Sequence, residues 1–250
     1  LPRVARMTGL PRRFLDNGIR RYGFHGLSYE YVVEDMRRRS GHIAAAERII
    51  VAHLGNGASM AAIVNGRSVE TSMGFSTLAG LPMGTRPGDL DPGILMHLMI
   101  EQQVSAEELQ DILYRQSGLL GLSGLSRNMA DLLARPDMAE AAEAIDFFCH
   151  HARRHLAGLT AALGGLDRLV FTGGIGANSP EIRARICDGL DYLGLALDAG
   201  RNVAQQRVVS ADGSPVLIEA FKTDEELVIA RHAQNLLRAA SIAGKAQNYG

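Results

Sequence analysis

The sequence predicts an α/β protein. Segments typical of buried strands alternate with segments of helical pattern along the 250 residues, and no repeat of solenoid period or low-complexity tract interrupts them. The hydrophobic content of 46% is enough for a substantial core, so the length allows one large domain or two small ones.

The first half of the chain contains a helix, a strand and a hairpin, in that order. Residues 29–39 have a helical pattern, and ERIIVAHL (47–54) is typical of a buried strand. Residues 59–72, SMAAIVNGRSVETS, predict a β-hairpin, because Asn65-Gly66 suits the type I′ turn that joins two strands.

Two helix-capping signals follow the hairpin. Asp91-Pro92 can cap and start a helix that we expect to run to about Gln103. Ser105 and Glu108 form a capping box, which predicts the start of the next helix.

The second half of the chain repeats the alternation of helix and strand. A long helix is predicted over residues 137–163, and RLVFTGG (168–174) predicts a short strand that runs into a glycine turn. Ser179-Pro180 opens another helix, VLIEAF (216–221) is the last strand, and residues 223–239 form the last helix.

Composition excludes several classes of protein. The net charge is −1 and only 5% of residues are aromatic, so neither a basic surface nor a stacking platform for nucleic acid is expected. No apolar run approaches the roughly 20 residues of a membrane span, and the first residues lack the apolar stretch of a signal peptide. Cys149 and Cys187 lack metal-type spacing, which predicts reduced thiols in the core of a cytoplasmic protein.

Two predicted strands end in glycine-rich turns. Gly55-Asn56-Gly57 follows the first strand, and Gly173-Gly174-Ile175-Gly176 follows a later one. Glycines there let backbone N–H groups approach a phosphate without a side chain in the way, although a glycine after a strand is most often only a tight turn. Two such turns in one α/β chain favour a nucleotide site.

His25 and Arg86 are the two isolated side chains that phosphoryl transfer would need. On spacing alone, His25 is more typical of a hydrogen-bonded core histidine, and Arg86, in MGTRPGDLDP, of a solvated loop cation. Phosphoryl transfer depends on positioned donors and cations, with Mg²⁺ on the nucleotide phosphates, and His25 beside glycines could also be phosphorylated covalently. The residues by themselves predict a phosphate-handling α/β enzyme.

Four motifs together resemble the acetate kinase (acetokinase) family, which includes propionate kinase. They are RRYGFHG (20–26), HLGNGAS (53–59), TSMGFSTLAGLPMGTRPGDLDPG (71–93) and FTGGIGANS (171–179). The resemblance implies the actin-like, ribonuclease-H-like ATPase fold and places this chain in the C-terminal lobe of a two-lobe kinase. Residues 1–222 would form that lobe, and residues 223–250 a terminal helix and tail that pack on an N-terminal lobe encoded upstream.

The resemblance also implies an activity. Family members transfer a phosphoryl group reversibly from ATP to a short-chain carboxylate, acetate or propionate, with Mg²⁺, giving an acyl phosphate and ADP by direct in-line transfer. A cytoplasmic homodimer without nucleic-acid or membrane partners is expected, and the 250 residues alone are expected to be inactive. The alternatives are a truncated module that binds nucleotide without catalysis and a dimerising remnant.

By matching motif, His25 and Arg86 would stabilise the transferring phosphoryl group, and Phe24 would line the acyl side of the site. Glu225 would reach Mg²⁺ through water, and we choose it over Glu226 because Thr223 as N-cap would engage Glu226 in a capping box. Residues implied to contact the nucleotide are His53, Leu54, Gly55, Asn56 and Gly57 at the phosphates, and Asn128, Met129, Ala130, Gly174, Ile175, Gly176, Ala177 and Asn178 at the adenosine.

The chain departs from the family pattern at two places near the implied adenosine site. The family usually has Asp, an aromatic or aliphatic residue and Arg where this chain has Asn128, Met129 and Ala130. That arginine is missing, and Arg127, one residue earlier, could replace it only from another direction. Ala177 also stands where the family has Glu.

Overall fold

The computed structural model describes residues 1–40 and 47–247. Their centre is a five-stranded mixed sheet whose strands are β1 Arg48–Leu54, β2 Ala58–Val64, β3 Arg67–Thr71, β4 Arg168–Thr172 and β5 Leu217–Ala220. The strand order is β3-β2-β1-β4-β5. The sheet confirms the predicted α/β class and all the predicted strands, with bounds shifted by one or two residues.

Antiparallel and parallel pairing divide the sheet at β1. β1, β2 and β3 form an antiparallel meander, and the turn between β2 and β3 has positive φ at both Asn65 (53°) and Gly66 (70°), which confirms the type I′ turn. β4 and β5 run parallel to β1. The carboxyl ends of β1, β4 and β5 therefore lie at one edge of the sheet.

Eleven helices are present in the described residues, along with short 3₁₀ turns at Val4–Arg6 and Asp191–Leu193 and a π turn at Ile112–Gln116. The helices are α1 Arg12–Asp16, α2 Gly26–Ser40, α3 Pro92–Ile100, α4 Ala106–Asp111, α5 Gly118–Ser123, α6 Met129–Leu133, α7 Ala139–Leu163, α8 Gly173–Asn178, α9 Pro180–Cys187, α10 Ala199–Val203 and α11 Glu225–Gln247. No described helix combines the length and the apolar character that crossing a bilayer needs.

The two faces of the sheet bury separate hydrophobic clusters. Ile50, Ala52 and Leu54 of β1 join the larger cluster, to which α7 contributes one buried stripe. Ile49 and Val51 join the smaller cluster, beneath α2. Successive residues of β1 thus enter opposite cores, which explains why this strand is apolar throughout.

Several predicted helix signals are confirmed. The Asp91 side chain accepts from the Gly93 N–H at 2.9 Å, and the Ser105 hydroxyl accepts from the Glu108 N–H at 3.1 Å. The first of these helices ends at Ile100 rather than at Gln103, because Gln103 has a left-handed φ of 54°. Cys149 and Cys187 are both free and buried, as expected.

Two local predictions are wrong. The segment after β4 is not a turn: Gly173 has a φ of 78°, and the glycines then continue as the short helix α8. The N-cap of the last helix is Asp224 rather than Thr223, because Asp224 Oδ1 accepts from the Leu227 N–H at 2.9 Å. The helix also extends to Gln247, and the last three residues of the predicted tail, 248–250, lie outside the described residues.

Arg183 on α9 is completely buried and joins α8 to α10. Its guanidinium donates to the carbonyl oxygens of Gly176 at 2.9 Å and Ala177 at 3.0 Å, near the end of α8. It also donates to the Asn202 side chain at 2.7 Å and the Asn202 carbonyl at 3.1 Å. Arg183 thereby satisfies oxygen atoms that a short helix leaves unpaired.

We expect Arg183→Met to lower the free energy of unfolding by about 2–4 kcal/mol, because buried oxygen atoms lose their donors while the packing volume is nearly kept. Urea unfolding followed by circular dichroism measures this change. Arg185→Met on the same helix is the control: its partners Glu181 and Asp146 are exposed, so the expected change is below about 1 kcal/mol. Equal destabilisation by the two substitutions would contradict this role.

Candidate functional site

The segments that follow β1, β4 and β5 meet around one cavity of about 800 Å³. Ligand sites in α/β sheets commonly lie beyond the carboxyl ends of the strands. The cavity is lined by residues from all three segments and from the turn before α2: His25, His53, Gly55, Asn56, Gly57, Gly173, Gly174, Asn178, Lys222, Thr223, Asp224, Glu225 and Glu226.

Glycine is required where the first two segments touch. A Cβ on Gly173 would lie 2.5 Å from the Leu54 carbonyl oxygen, and its left-handed φ of 78° disfavours other residues independently. A Cβ on Gly57 would lie 3.1 Å from His25 Nε2. At Gly174, by contrast, no other atom lies within 4 Å of the added carbon. At these glycines the cavity wall is backbone without side chains.

His25 and His53 form a stacked pair at the cavity wall. Their ring centroids are 4.4 Å apart, with an angle of 24° between the planes. His25 Nδ1 lies 2.7 Å from Ser59 Oγ, and His53 Nδ1 lies 2.8 Å from Ser28 Oγ. His25 also has a left-handed φ of 56°, which is uncommon outside glycine and often marks a functional position.

Burial keeps both imidazoles neutral at pH 7. It lowers the pKa of His25 from 6.5 to about 4. A proton on His53 and the charge of Arg86 lower the pKa of His25 further, and the Glu225 carboxylate raises it. Burial also lowers the pKa of His53. Each ring can therefore offer a hydrogen bond to an anion without carrying a charge itself.

Arg86 lies next to this cavity rather than in its lining. It is half-buried, and its closest hydrogen-bond acceptors are the Thr77 carbonyl at 3.4 Å and Met83 Sδ at 3.5 Å. Among the described residues no carboxylate pairs with it. Asp89 holds the loop closed, because it accepts from the Gly80 N–H at 2.7 Å. Arg86 is thus a cation near His25, and its guanidinium makes hydrogen bonds to the described residues through Nη1 alone.

A second cavity, of about 700 Å³, adjoins the first. The two share Gly55, Asn56, Gly174 and Asn178. Its other lining residues include Arg127, Asn128, Met129, Ala130 and Ile175, so the segments that the resemblance assigns to adenosine do lie together. Arg127 lines this cavity beside the altered triplet.

Besides Arg86, four residues assigned by resemblance lie outside both cavity linings. Leu54 is completely buried, because its position on β1 points into the larger core. Gly176 and Ala177 are buried on the side of α8 that faces the strands and Arg183. Phe24 packs against the larger core. Direct side-chain contact with a ligand in these cavities is not supported for them.

The carboxylates of Asp224, Glu225 and Glu226 lie at the cavity, at the start of α11. One Asp224 oxygen is occupied in capping the helix. The described residues contain no group of three or more His, Cys, Asp or Glu side chains that could hold a metal by themselves. The carboxylates at the start of α11 fit Mg²⁺, because Mg²⁺ keeps several waters and binds proteins through one or two carboxylates together with substrate phosphates.

Sequence reasoning missed the polar residues behind the histidines and one cation at the cavity. Ser28, Ser59, Thr172 and Thr223 are hydroxyl residues, and although Ser59 and Thr172 lie within the quoted motifs, nothing in their spacing predicts that they contact the histidines or one another. Lys222 lines the cavity and follows the last strand directly. Its place at the carboxyl end of a parallel strand is a signal that could have identified it.

Comparison with known proteins shows the family to which the chain is similar. Residues 1–231 match the acetokinase family. The chain is 52% identical over 236 residues to an acetate kinase of Methylocella silvestris and 50% identical over 238 residues to one of Rhodopseudomonas palustris. Each alignment covers 94% of this chain, but only 58% and 60% of the relative. The chain thus spans about three fifths of the relatives it matches.

Solved structures of acetate and propionate kinases are also similar to this chain. The acetate kinase of Porphyromonas gingivalis superposes with a TM-score of 0.90 at 35% identity, over 95% of this chain and 61% of that one. A propionate kinase of Francisella tularensis superposes with a TM-score of 0.86 at 37% identity, over 92% and 60%. These similarities confirm the expected actin-like ATPase fold. The chain therefore belongs to the acetokinase family.

Proposed function

We propose that the protein containing this chain transfers a phosphoryl group reversibly from ATP to a short-chain carboxylate, acetate or propionate, giving ADP and an acyl phosphate. The observation that carries the proposal is the meeting of two glycine-rich strand ends and a neutral histidine pair around one cavity, with the charge of Arg86 acting on His25 from beside it. The relatives named acetate kinase and propionate kinase support this substrate class.

In this proposal the nucleotide extends across both cavities. Its phosphates lie against Gly55, Asn56 and Gly57, and its adenosine lies against residues 128–130 and against Gly174, Ile175 and Asn178, which accords with the shared wall of the cavities. His25 and Arg86 stabilise the negative charge that spreads over the oxygens of the migrating group. We expect the transfer to be direct and in line, with His25 donating a hydrogen bond to that charge.

Bound Mg²⁺ would neutralise charge on the nucleotide phosphates. Glu225 would orient it through water, since this carboxylate lies at the cavity and influences the pKa of His25. Phe24 would lie near the acyl side of the site because it precedes His25. Since it packs against the larger core, it would shape that side of the site indirectly.

We also propose a cytoplasmic homodimer. The two free, buried cysteines accord with a reducing compartment. Helix α3 supports a subunit interface, because none of its residues is buried although Ile94, Met96, Met99 and Ile100 are apolar and 43–68% exposed. Apolar patches of this kind commonly mark interaction sites.

Arg86→Ala in the full-length polypeptide is expected to lower kcat by about 10²–10³-fold and to change ATP affinity little, because the cation is needed chiefly where charge develops. Steady-state kinetics and calorimetric ATP titration measure the two effects. Arg115→Ala, which changes an 80% exposed side chain that pairs with Asp111, is the control. Unchanged turnover in Arg86→Ala would remove Arg86 from the mechanism, and ATP binding without turnover in the unaltered protein would favour the non-catalytic alternative.

His25→Ala is expected to lower kcat to a similar extent. No phosphohistidine should accumulate when the protein is mixed with radiolabelled ATP in the absence of the carboxylate, because transfer is direct. Rapid quenching at alkaline pH, which preserves such adducts, followed by gel analysis gives the measurement. An acid-labile label on His25 that is chased into acyl phosphate would overturn direct transfer.

Residues 1–250 expressed alone are expected to form no acyl phosphate, because the proposed reaction needs segments of the longer relatives that this chain does not contain. The apolar side chains of α11 should lack cover beyond Val228, since Leu236 and Leu237 are each 72% exposed, so hydrogen exchange in the second half of α11 should be fast. A hydroxamate assay and exchange mass spectrometry test this, with α7 as the protected reference. Turnover together with strong protection of α11 would contradict the expectation.

A further inference from the structure

We propose that two chains of hydroxyl groups, buried except at the half-buried Thr223, fix the tautomers of His25 and His53, so that both rings present an Nε2–H to the cavity. The catalytic consequence rests on the proposed phosphoryl transfer, whereas the tautomers themselves do not. Ser59 and Ser28 are then positioning residues, because they act on the phosphate site through the two histidines.

The first chain runs from Tyr29 through Ser59 to His25. The Tyr29 hydroxyl bonds to Ser59 Oγ, and Ser59 Oγ lies 2.7 Å from His25 Nδ1. Tyr29 is nearly and Ser59 completely buried, and burial raises the pKa of Tyr29, so its proton stays in place. Within the described chain, Ser59 Oγ is the acceptor available to that proton. When Tyr29 donates, the single Ser59 hydrogen points to Nδ1, which accepts it.

The second chain runs from Thr172 through Thr223 and Ser28 to His53. Thr172 donates to Thr223 Oγ1 at 3.3 Å, Thr223 lies 2.8 Å from Ser28 Oγ, and Ser28 lies 2.8 Å from His53 Nδ1. Because each hydroxyl has one hydrogen, all of them are used only if the donations run in sequence toward His53. If Ser28 donated to Thr223 instead, the Thr223 hydrogen would have no acceptor among the described hydroxyls of this chain, because Thr172 already donates to Thr223. His53 Nδ1 therefore also accepts.

A neutral imidazole that accepts at Nδ1 carries its proton on Nε2. The Nε2 edges of both rings are turned away from the buried hydroxyls, and both residues line the cavity. His25 Nε2 lies beside Gly57, where an added Cβ would be 3.1 Å from the nitrogen. Among the described residues, no hydrogen bond to Nε2 of either ring is present, so both N–H groups remain available to a ligand.

The chemical consequence is a pair of neutral donors directed at phosphate oxygens. The opposite tautomer would present a lone pair to an anion, which is repulsive. A protonated Nε2 also lacks the lone pair that a nucleophile needs at that nitrogen. The hydroxyl chains therefore favour donation by His25 over the formation of a phosphohistidine.

The test is two-bond ¹H–¹⁵N correlation spectroscopy of histidine side chains in the full-length polypeptide without ligand, near pH 7. His25 and His53 signals are assigned from their absence in His25→Gln and His53→Gln. We expect both residues to show a protonated Nε2 and an unprotonated Nδ1. A protonated Nδ1 on either residue would overturn the proposal, whatever the activity of the protein.

Substitution of Ser59, the hydroxyl residue bonded to His25, gives the second measurement. Ser59→Ala should shift His25 toward a mixture of tautomers and lower kcat by about tenfold or more, with a smaller change in KM for ATP. Ser59→Thr, which keeps the hydroxyl, should restore both. The control is Ser72→Ala, since Ser72 is also buried in the sheet region but accepts from the Met60 N–H and contacts neither histidine.

Two further results separate the inference from the proposed function. Expected tautomers in a protein that forms no acyl phosphate would support the hydroxyl chains and contradict the proposed function. Normal kcat in Ser59→Ala with a folded spectrum would overturn the role of Ser59 even if the kinase activity is established.

Discussion

The parallel pairing of β4 with β1 is the constraint on which the rest of the site depends. Its register sets Thr172 opposite His53, so the chain leaves both strands at the same level of the sheet. The next residue, Gly173, then lies against the Leu54 carbonyl so closely that a Cβ would be 2.5 Å from the oxygen. A shift in this register would separate the two glycine segments and detach Thr172 from the hydroxyl chain behind His53.

Burial distributes charge around the site unequally. The histidine pair is neutral, so positive charge near it comes from Lys222 in the cavity lining and from Arg86, whose acceptors among the described residues are a carbonyl at 3.4 Å and a thioether at 3.5 Å. Arg183 is also buried, but its donors are occupied by carbonyl and amide oxygens of α8 and α10. The two arginines therefore differ in function for a physical reason: one has satisfied its hydrogen bonds within the protein, and the other has not.

Local patterns in the sequence predicted the sheet and much of the cavity wall. β1 and the Asn65-Gly66 hairpin were predictable because burial and turn geometry act on neighbouring residues. The helix α8 was not predictable, because a segment of four residues with three glycines favours a turn. Its stabilisation comes from Arg183 on another helix, which donates to the Gly176 carbonyl. The hydroxyl chains were also unpredictable, because Ser28 and Thr223 lie 195 residues apart in sequence.

Hydroxyl partners suit these histidines better than carboxylates would. A carboxylate at Nδ1 would favour the imidazolium and oppose the effect of burial on the pKa of His25. The stacked rings, 4.4 Å apart, would then carry like charges in a region of low dielectric. Ser59 and Ser28 orient the rings without adding charge. In the proposed reaction, neutral donors would hold the phosphates less tightly than cations would, so that nucleotide and acyl phosphate can leave in either direction.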